Sequence, residues 1–390
     1  MPLSSKNLSF PFAYTAAKVV LLSLMLASVS AEAQKKLPSN EKTLEALSRA
    51  NRYFMDKWPD VGQRIVHERS RASNIWTRGV YYEGLMDLYK IDPRSEYLDY
   101  ATRWADFHQW DLRDGDTYTR NADNQCAGQT YLDLYLLDRK PNRIAKIKAS
   151  IDSMLHTDRT DDWNWVDAVQ MAMPVFARLG SITHDTTYWQ RMHAMYMYTR
   201  NSHGDHGLYN PADKLWWRDK DFDPPYTEPN GQDCYWSRGN GWVLAALVRV
   251  LTILPDNAPH RQQYLDDFKA MAEALLPIQR EDGFWNVSLH DPTHFSGKET
   301  TGTSLFVYGL TWGINHGYLS EKKYRPVVVK AWNALVTDAL HTNGFLGYVQ
   351  GTGKEPKDSQ PVSYDSVPNF EDFGLGCFLL AGCQIHALKK

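Results

Sequence analysis

Asp161–Leu179 reads DDWNWVDAVQMAMPVFARL, and the fold follows from how that stretch is read. Beyond Trp165 its apolar residues (Val166, Val169, Met171, Ala172, Met173, Val175, Phe176, Leu179) fall on every side of a helical wheel. A helix with no wet face lies inside a protein. A single acid, Asp167, interrupts the run at its first turn. A carboxylate is costly to bury unless it is hydrogen-bonded or employed, although a helix N-terminus favours its charged form. Asp167 is therefore either a capping or salt-bridged acid packed by Trp163 and Trp165, or a group held for chemistry.

Moving outward, helices of the same all-apolar kind are predicted to start near residues 80, 126, 241, 303 and 373. Between them lie segments with one apolar stripe: Ser95–Trp110, the run containing Ile144, Ile147, Ile151 and Leu155, Tyr188–Tyr198, Tyr264–Leu276 and Tyr324–Leu340. Two of the units share a motif, Asp87-Leu-Tyr-Lys-Ile-Asp92 and Asp133-Leu-Tyr-Leu-Leu-Asp138. Each is followed by a polar turn with a proline, Pro93 or Pro141. Like units at a fixed spacing are the mark of a helical-hairpin array. The sixth amphipathic partner is Ser39–Trp58, with Leu44, Leu47, Phe54 and Trp58 on one face. If that helix packs beside the last buried one, the array closes. The expected fold is all-α, an (α/α)6 toroid in a single domain over residues 34–390.

Residues 1–33 carry Lys6 and Lys18, a short apolar run from Val19 to Ala27, and Ala31-Glu32-Ala33. That is the pattern of a signal peptide, which predicts an exported protein, periplasmic in a Gram-negative source. A formal net charge of -3 without any run of Lys or Arg argues against nucleic acid and anionic membranes as partners. The chain is expected to be a monomer or weak oligomer. The four cysteines lack metal spacing and are expected to be buried thiols. Aromatic residues make up 13%, with 14 Trp and 22 Tyr, a richness that suits carbohydrate binding as well as core packing.

Three long irregular stretches, residues 202–240, 283–301 and 344–368, break the helical rhythm. Such loops in a compact domain are usually functional. They are read as walls of a pocket at the end of the ring where inner helices begin. Asp123 precedes the second inner helix and Asp167 opens the third, so two acids would face one pocket. Paired acids suit general acid/base work on a glycoside, while an N-cap or Asx turn is the plainer role for Asp123. In YWSRGNGWVLAAL (Tyr235–Leu247), Arg238 stands between Trp236 and Trp242 with glycines on either side. It reads as a clamp for an acidic sugar or as the partner of one of the acids. Trp217 and Arg218, in the long loop, and Trp165 complete the candidate sugar contacts, with loop packing as the alternative. His203 and His206 suggest surface polarity more than a metal site, and no metal or cofactor is expected.

Four separated segments are similar to one known family: WNWVDAVQMAMPVFARLG, DCYWSRGNGWVLAALVRVL, ETTGTSLFVYGLTWGINHGYL and EDFGLGCFLLAG. From about Ser39 to the C-terminus the chain resembles the unsaturated rhamnogalacturonyl hydrolases, glycoside hydrolase family 105, relatives of the family 88 unsaturated glucuronyl hydrolases. The resemblance implies removal of a terminal 4,5-unsaturated uronate from lyase-generated oligosaccharides. The residue matching Asp167 would act as general acid/base, protonating carbon 4 while water adds at carbon 5. The hemiketal then opens and frees the next sugar. Asp123 would lie beside it, with Arg238 and Trp242 lining the site and no cofactor involved. The histidine that many relatives carry after a Gly-Leu pair is missing: Gly207-Leu208 is followed by Tyr209-Asn210-Pro211, and Trp217 and Arg218 would take part of its role. Unsaturated galacturonyl-rhamnose from rhamnogalacturonan is the first expectation. The alternatives are unsaturated glucuronate from arabinogalactan or ulvan-type chains, or an inverting glycosidase on a saturated glycoside.

Overall fold

Segments that are apolar all round become the inner helices of a ring, and one-sided segments become its outer layer. The inner six are α2 (Trp76–Ile91), α4 (Ala127–Leu137), α6 (Val166–Thr183), α8 (Ser237–Ile253), α10 (Thr300–Asn315) and α12 (Asp372–Ala387). The outer six are α1 (Asn40–Lys57), α3 (Ser95–Phe107), α5 (Ala145–Leu155), α7 (Thr187–Asn201), α9 (Arg261–Leu275) and α11 (Glu321–Ala334). The structure, a computed structural model, describes Met1 and residues 36–388, residue 205 and the side chain of residue 114 excepted. The predicted signal segment lies outside the described residues but for Met1. From Pro38 onward the chain forms one unit.

Each inner helix packs on the next, and α12 packs on both α2 and α1, which closes the ring. The fold is thus the all-α (α/α)6 toroid that the repeat predicts. Among the described residues, β-structure is confined to two small hairpins, β1–β2 (Ile65–Val66 with Ser70–Arg71) and β3–β4 (Tyr209–Asn210 with Leu215–Trp216). The first was not expected from the sequence. All four cysteines are buried and free.

Ring closure depends on a glycine. A Cβ on Gly376 of α12 would stand 2.3 Å from the Val80 carbonyl oxygen of α2, and one on Gly84 would stand 2.6 Å from the Gly376 oxygen. Backbone meets backbone here, so neither side can yield by changing a rotamer. Gly376→Ala is expected to cost about 1–3 kcal/mol, as overpacking does in other cores. Thermal unfolding tests this, and an unchanged midpoint would show that the two helices can slide apart at no cost.

Inside the ring, Pro174 interrupts the α6 hydrogen-bond ladder, because proline cannot donate to the carbonyl four residues earlier. That carbonyl, of Gln170, accepts instead from Gln129 Nε2 of α4 at 2.8 Å. Gln129 Oε1 accepts in turn from Arg249 Nε of α8 at 2.8 Å. The Gln170 amide donates to Glu83 Oε2 of α2 at 2.8 Å, and the Arg249 guanidinium lies 3.7 Å from Glu83 and 3.8 Å from Asp133. Four inner helices are therefore tied across the ring interior by one polar network, which keeps the rim above it fixed.

Candidate active site

The inner helices all start at one rim, and the candidate acids sit there. Trp165 is extended (φ -151°, ψ 149°), and α6 begins after it without a side-chain cap. Arg218 supplies the cap from outside: its carbonyl accepts the Val166 N–H at 2.9 Å. Its side chain returns to the same place, with Nε donating to Asp167 Oδ2 at 3.1 Å and Nη1 donating to Asp219 Oδ2. Asp167, 8% exposed, thus has a cation fixed beside it, and that cation is itself held by a second buried carboxylate. Such a bridge keeps both charges satisfied in a low-dielectric site. Asp219 is the residue missed by sequence reasoning; beside Trp216-Trp217-Arg218 it reads as an ordinary loop acid.

Asp123 belongs to a single helical turn, Ala122–Gln125, capped by Asn121. Its N–H donates to Asn121 Oδ1 at 2.9 Å, so the capping role belongs to Asn121. Its turn packs against the start of α6. Burial, and then the charge of Asp167, raise the Asp123 carboxyl to about 6, with Arg218 and Arg113 acting in the opposite direction. Two carboxylates on adjacent inner elements therefore share one electrostatic field, the arrangement that the sequence predicts.

Three expected sugar contacts need correction. Arg238, 1% exposed, donates from Nη1 to the Gln350 carbonyl and from Nη2 to the Gly351 carbonyl, each at 2.6 Å. Its guanidinium lies between Trp236 and Phe373, 4.5 and 4.9 Å from their ring centres. It therefore braces the 344–368 loop against α8 and does not open onto a ligand. Trp236 is buried and donates Nε1 to Gln350 Oε1 at 2.9 Å, so it braces the same loop. Trp242 is fully buried, edge-on to Trp76. The flanking glycines allow this tight seating: a Cβ on Gly239 would lie 3.2 Å from the Trp236 ring and 3.3 Å from Val166 Cγ2.

Trp217, 6% exposed, packs as a wall against Tyr235 and His206. The indoles that remain half-buried at helix starts are Trp165 and Trp76. Trp76 was not singled out from the sequence, since WTRGVYY reads as core. Among the described residues no three His, Cys, Asp or Glu side chains gather as a metal site, and no helix is long and apolar enough to cross a membrane.

Residues 46–389 match the Glycosyl Hydrolase Family 88 description. A curated relative from Formosa agariphila, named "Unsaturated 3S-rhamnoglycuronyl hydrolase", is 34% identical over 341 residues, spanning 82% of this chain and 86% of the relative. The solved structure of a glycosyl hydrolase family 88 protein from Bacteroides vulgatus superposes with a TM-score of 0.81 at 33% identity, covering 90% of this chain and all of that one. A family 105 glycoside hydrolase from C. acetobutylicum shares the fold at 19% identity and a TM-score of 0.68, covering 87% of this chain and 98% of that one.

Proposed function

Because the chain belongs to Glycosyl Hydrolase Family 88, we propose that this glycoside hydrolase hydrates the double bond of a terminal 4,5-unsaturated uronate and so releases it from an oligosaccharide. The observation that carries the reading is the coupled pair at the rim: Asp167 beside the Arg218 guanidinium, and Asp123 raised by burial and by Asp167. Hydration needs a proton delivered to carbon 4 and water deprotonated at carbon 5. A carboxyl pair that holds one proton near neutrality can do both in turn. Asp167 is the acid/base, Asp123 shares its proton, and Arg218 with Asp219 keeps Asp167 aimed. Trp165 and Trp76 offer the sugar faces. The hemiketal left at carbon 5 opens without further help.

The name of the Formosa relative supports rhamnose as the leaving sugar. A panel of lyase-generated disaccharides, unsaturated galacturonyl- or glucuronyl-rhamnose among them, tests the reading through loss of the alkene's ultraviolet absorbance. Absence of turnover across the panel would overturn it, and equal turnover of saturated glycosides would favour an inverting glycosidase. We further place the enzyme outside the cytoplasm on the strength of residues 1–33; fractionation of expressing cells checks this.

The raised Asp123 carboxyl gives a pH prediction. The pair carries its proton below about 6 and loses it above. Since the proton is consumed in the first step, kcat/KM should be level on the acid side and fall roughly tenfold per pH unit once well above that value. A profile flat from about pH 5 to 8 would remove the pair from the proton transfer.

A further inference from the structure

The β1–β2 hairpin occupies the α1–α2 connection, on the rim where the inner helices start. Its sequence from Arg64 to Arg71, RIVHERSR, holds three arginines and one acid, Glu68. Register decides where they point. Arg71 lies directly opposite Ile65, and Ser70 opposite Val66; opposed residues share a face. Ile65 is 5% exposed and Val66 is 74% exposed, so Ile65 and Arg71 face the protein body, and alternation puts Arg69 on the side of Arg71.

Arg71 is half-buried with its guanidinium over the Phe370 ring, 5.4 Å from its centre, and it donates Nη1 to the Arg69 carbonyl at 3.1 Å. Among the described residues no carboxylate pairs with it. Nearby acids have cations of their own: Asp111 has Lys146, Glu371 has Lys57 and Asp372 has Arg78. The chain leaving the hairpin is fastened by Asn74, which donates to the Asp111 carbonyl at 3.1 Å. The Arg113–Gly115 turn that follows Asp111 packs on the turn bearing Asp123. The hairpin's inward face is thereby linked to the catalytic rim, and the charges of Arg69 and Arg113 disfavour that of Arg71. A half-buried guanidinium among like charges is stabilised by an anion that its planar fork can grip.

We propose that Arg71, with Arg69 beside it, forms an anion subsite at the rim that receives a sulfate ester or a carboxylate carried by the leaving part of the substrate. This rests on the function proposed above and names a charge requirement that the hydration chemistry itself does not impose.

The test compares the wild-type enzyme with Arg71→Gln and with Arg69→Gln/Arg71→Gln, thermal unfolding serving as the folding control. Three substrates separate the sources of charge: an unsaturated uronyl-rhamnose, the same disaccharide bearing a sulfate ester on rhamnose, and a trisaccharide with a further uronate. On whichever charged substrate uses the subsite, kcat/KM should fall about ten- to a hundredfold, the size of a lost charge-assisted contact. The uncharged leaving group should change by less than about twofold. Equal losses on all three substrates, or no loss on any, would overturn the proposal. Calorimetric titration with a sulfated and a carboxylated rhamnoside reads the subsite without turnover. If the wild-type enzyme turns over no substrate yet binds one of these glycosides and Arg71→Gln does not, the hydration reading fails and the subsite stands. If Arg71→Gln binds both as the wild type does, the subsite fails.

Discussion

Asp167→Asn is expected to lower kcat/KM by about a thousandfold or more, with KM and thermal midpoint little changed. Asparagine has the same shape and can still accept the Arg218 Nε–H that Asp167 accepts at 3.1 Å. Arg218 would stay tied to Asp219, and its carbonyl would still cap the Val166 N–H. The geometry survives, and what disappears is the capacity to give a proton and take one back. Steady-state kinetics on the best substrate of the panel, followed by alkene absorbance, reads this directly. Activity within about tenfold of wild type would remove Asp167 from the proton transfer. A non-catalytic sugar-binding protein, by contrast, would lose nothing but some affinity.

The second large effect lies beneath the rim. Arg249→Met should cost about 3–5 kcal/mol, the range for stripping one partner from a buried ionic network. Glu83, fully buried, would keep its bond from Gln170 but lose the only cation within 4 Å of it among the described residues. Gln129 would lose a donor and Asp133 one of its two arginines. Denaturant unfolding measures the loss, and combining the change with Glu83→Gln should recover part of it, since no unpaired charge remains. A cost below about 1 kcal/mol would mean that water replaces the arginine.

The network also has a pH signature. Burial raises the folded Glu83 carboxyl to about 7 from an ordinary 4.5, although Arg249 acts against the rise. The unfolded chain therefore releases this proton first as pH climbs. Glu83's contribution to stability is complete below about 4.5 and is lost as pH passes through about 7, so Glu83→Gln should flatten that part of the stability profile.

Much of this was legible before any coordinates. The stretch after Trp165 had no wet face, and its helix is buried from Val166 to Ala177. The repeated Asp-Leu-Tyr unit marked successive hairpins, and the spare amphipathic helix at Ser39 allowed closure. Asp123 and Asp167 could be placed at one rim because consecutive inner helices start there. Arg238 was misread for a physical reason: its partners are backbone carbonyls of Gln350 and Gly351, and no side-chain pattern announces which main-chain oxygens a distant loop will present. The same holds for the hairpin at Ile65–Arg71, too short to show alternation, and for Asp219, whose role depends on which way its neighbour turns.

Gly376 carries a last consequence, about time. The seat it provides for α2 lies in the final helix of the chain, whereas α2 is made early. On the ribosome, the first inner helix must wait with one flank uncovered until nearly the whole polypeptide has emerged, and contacts so distant in sequence form slowly. The catalytic rim, assembled from starts scattered along the entire length, matures only when the last helix arrives, so a nascent chain stalled before Gly376 should be inert and prone to capture by chaperones.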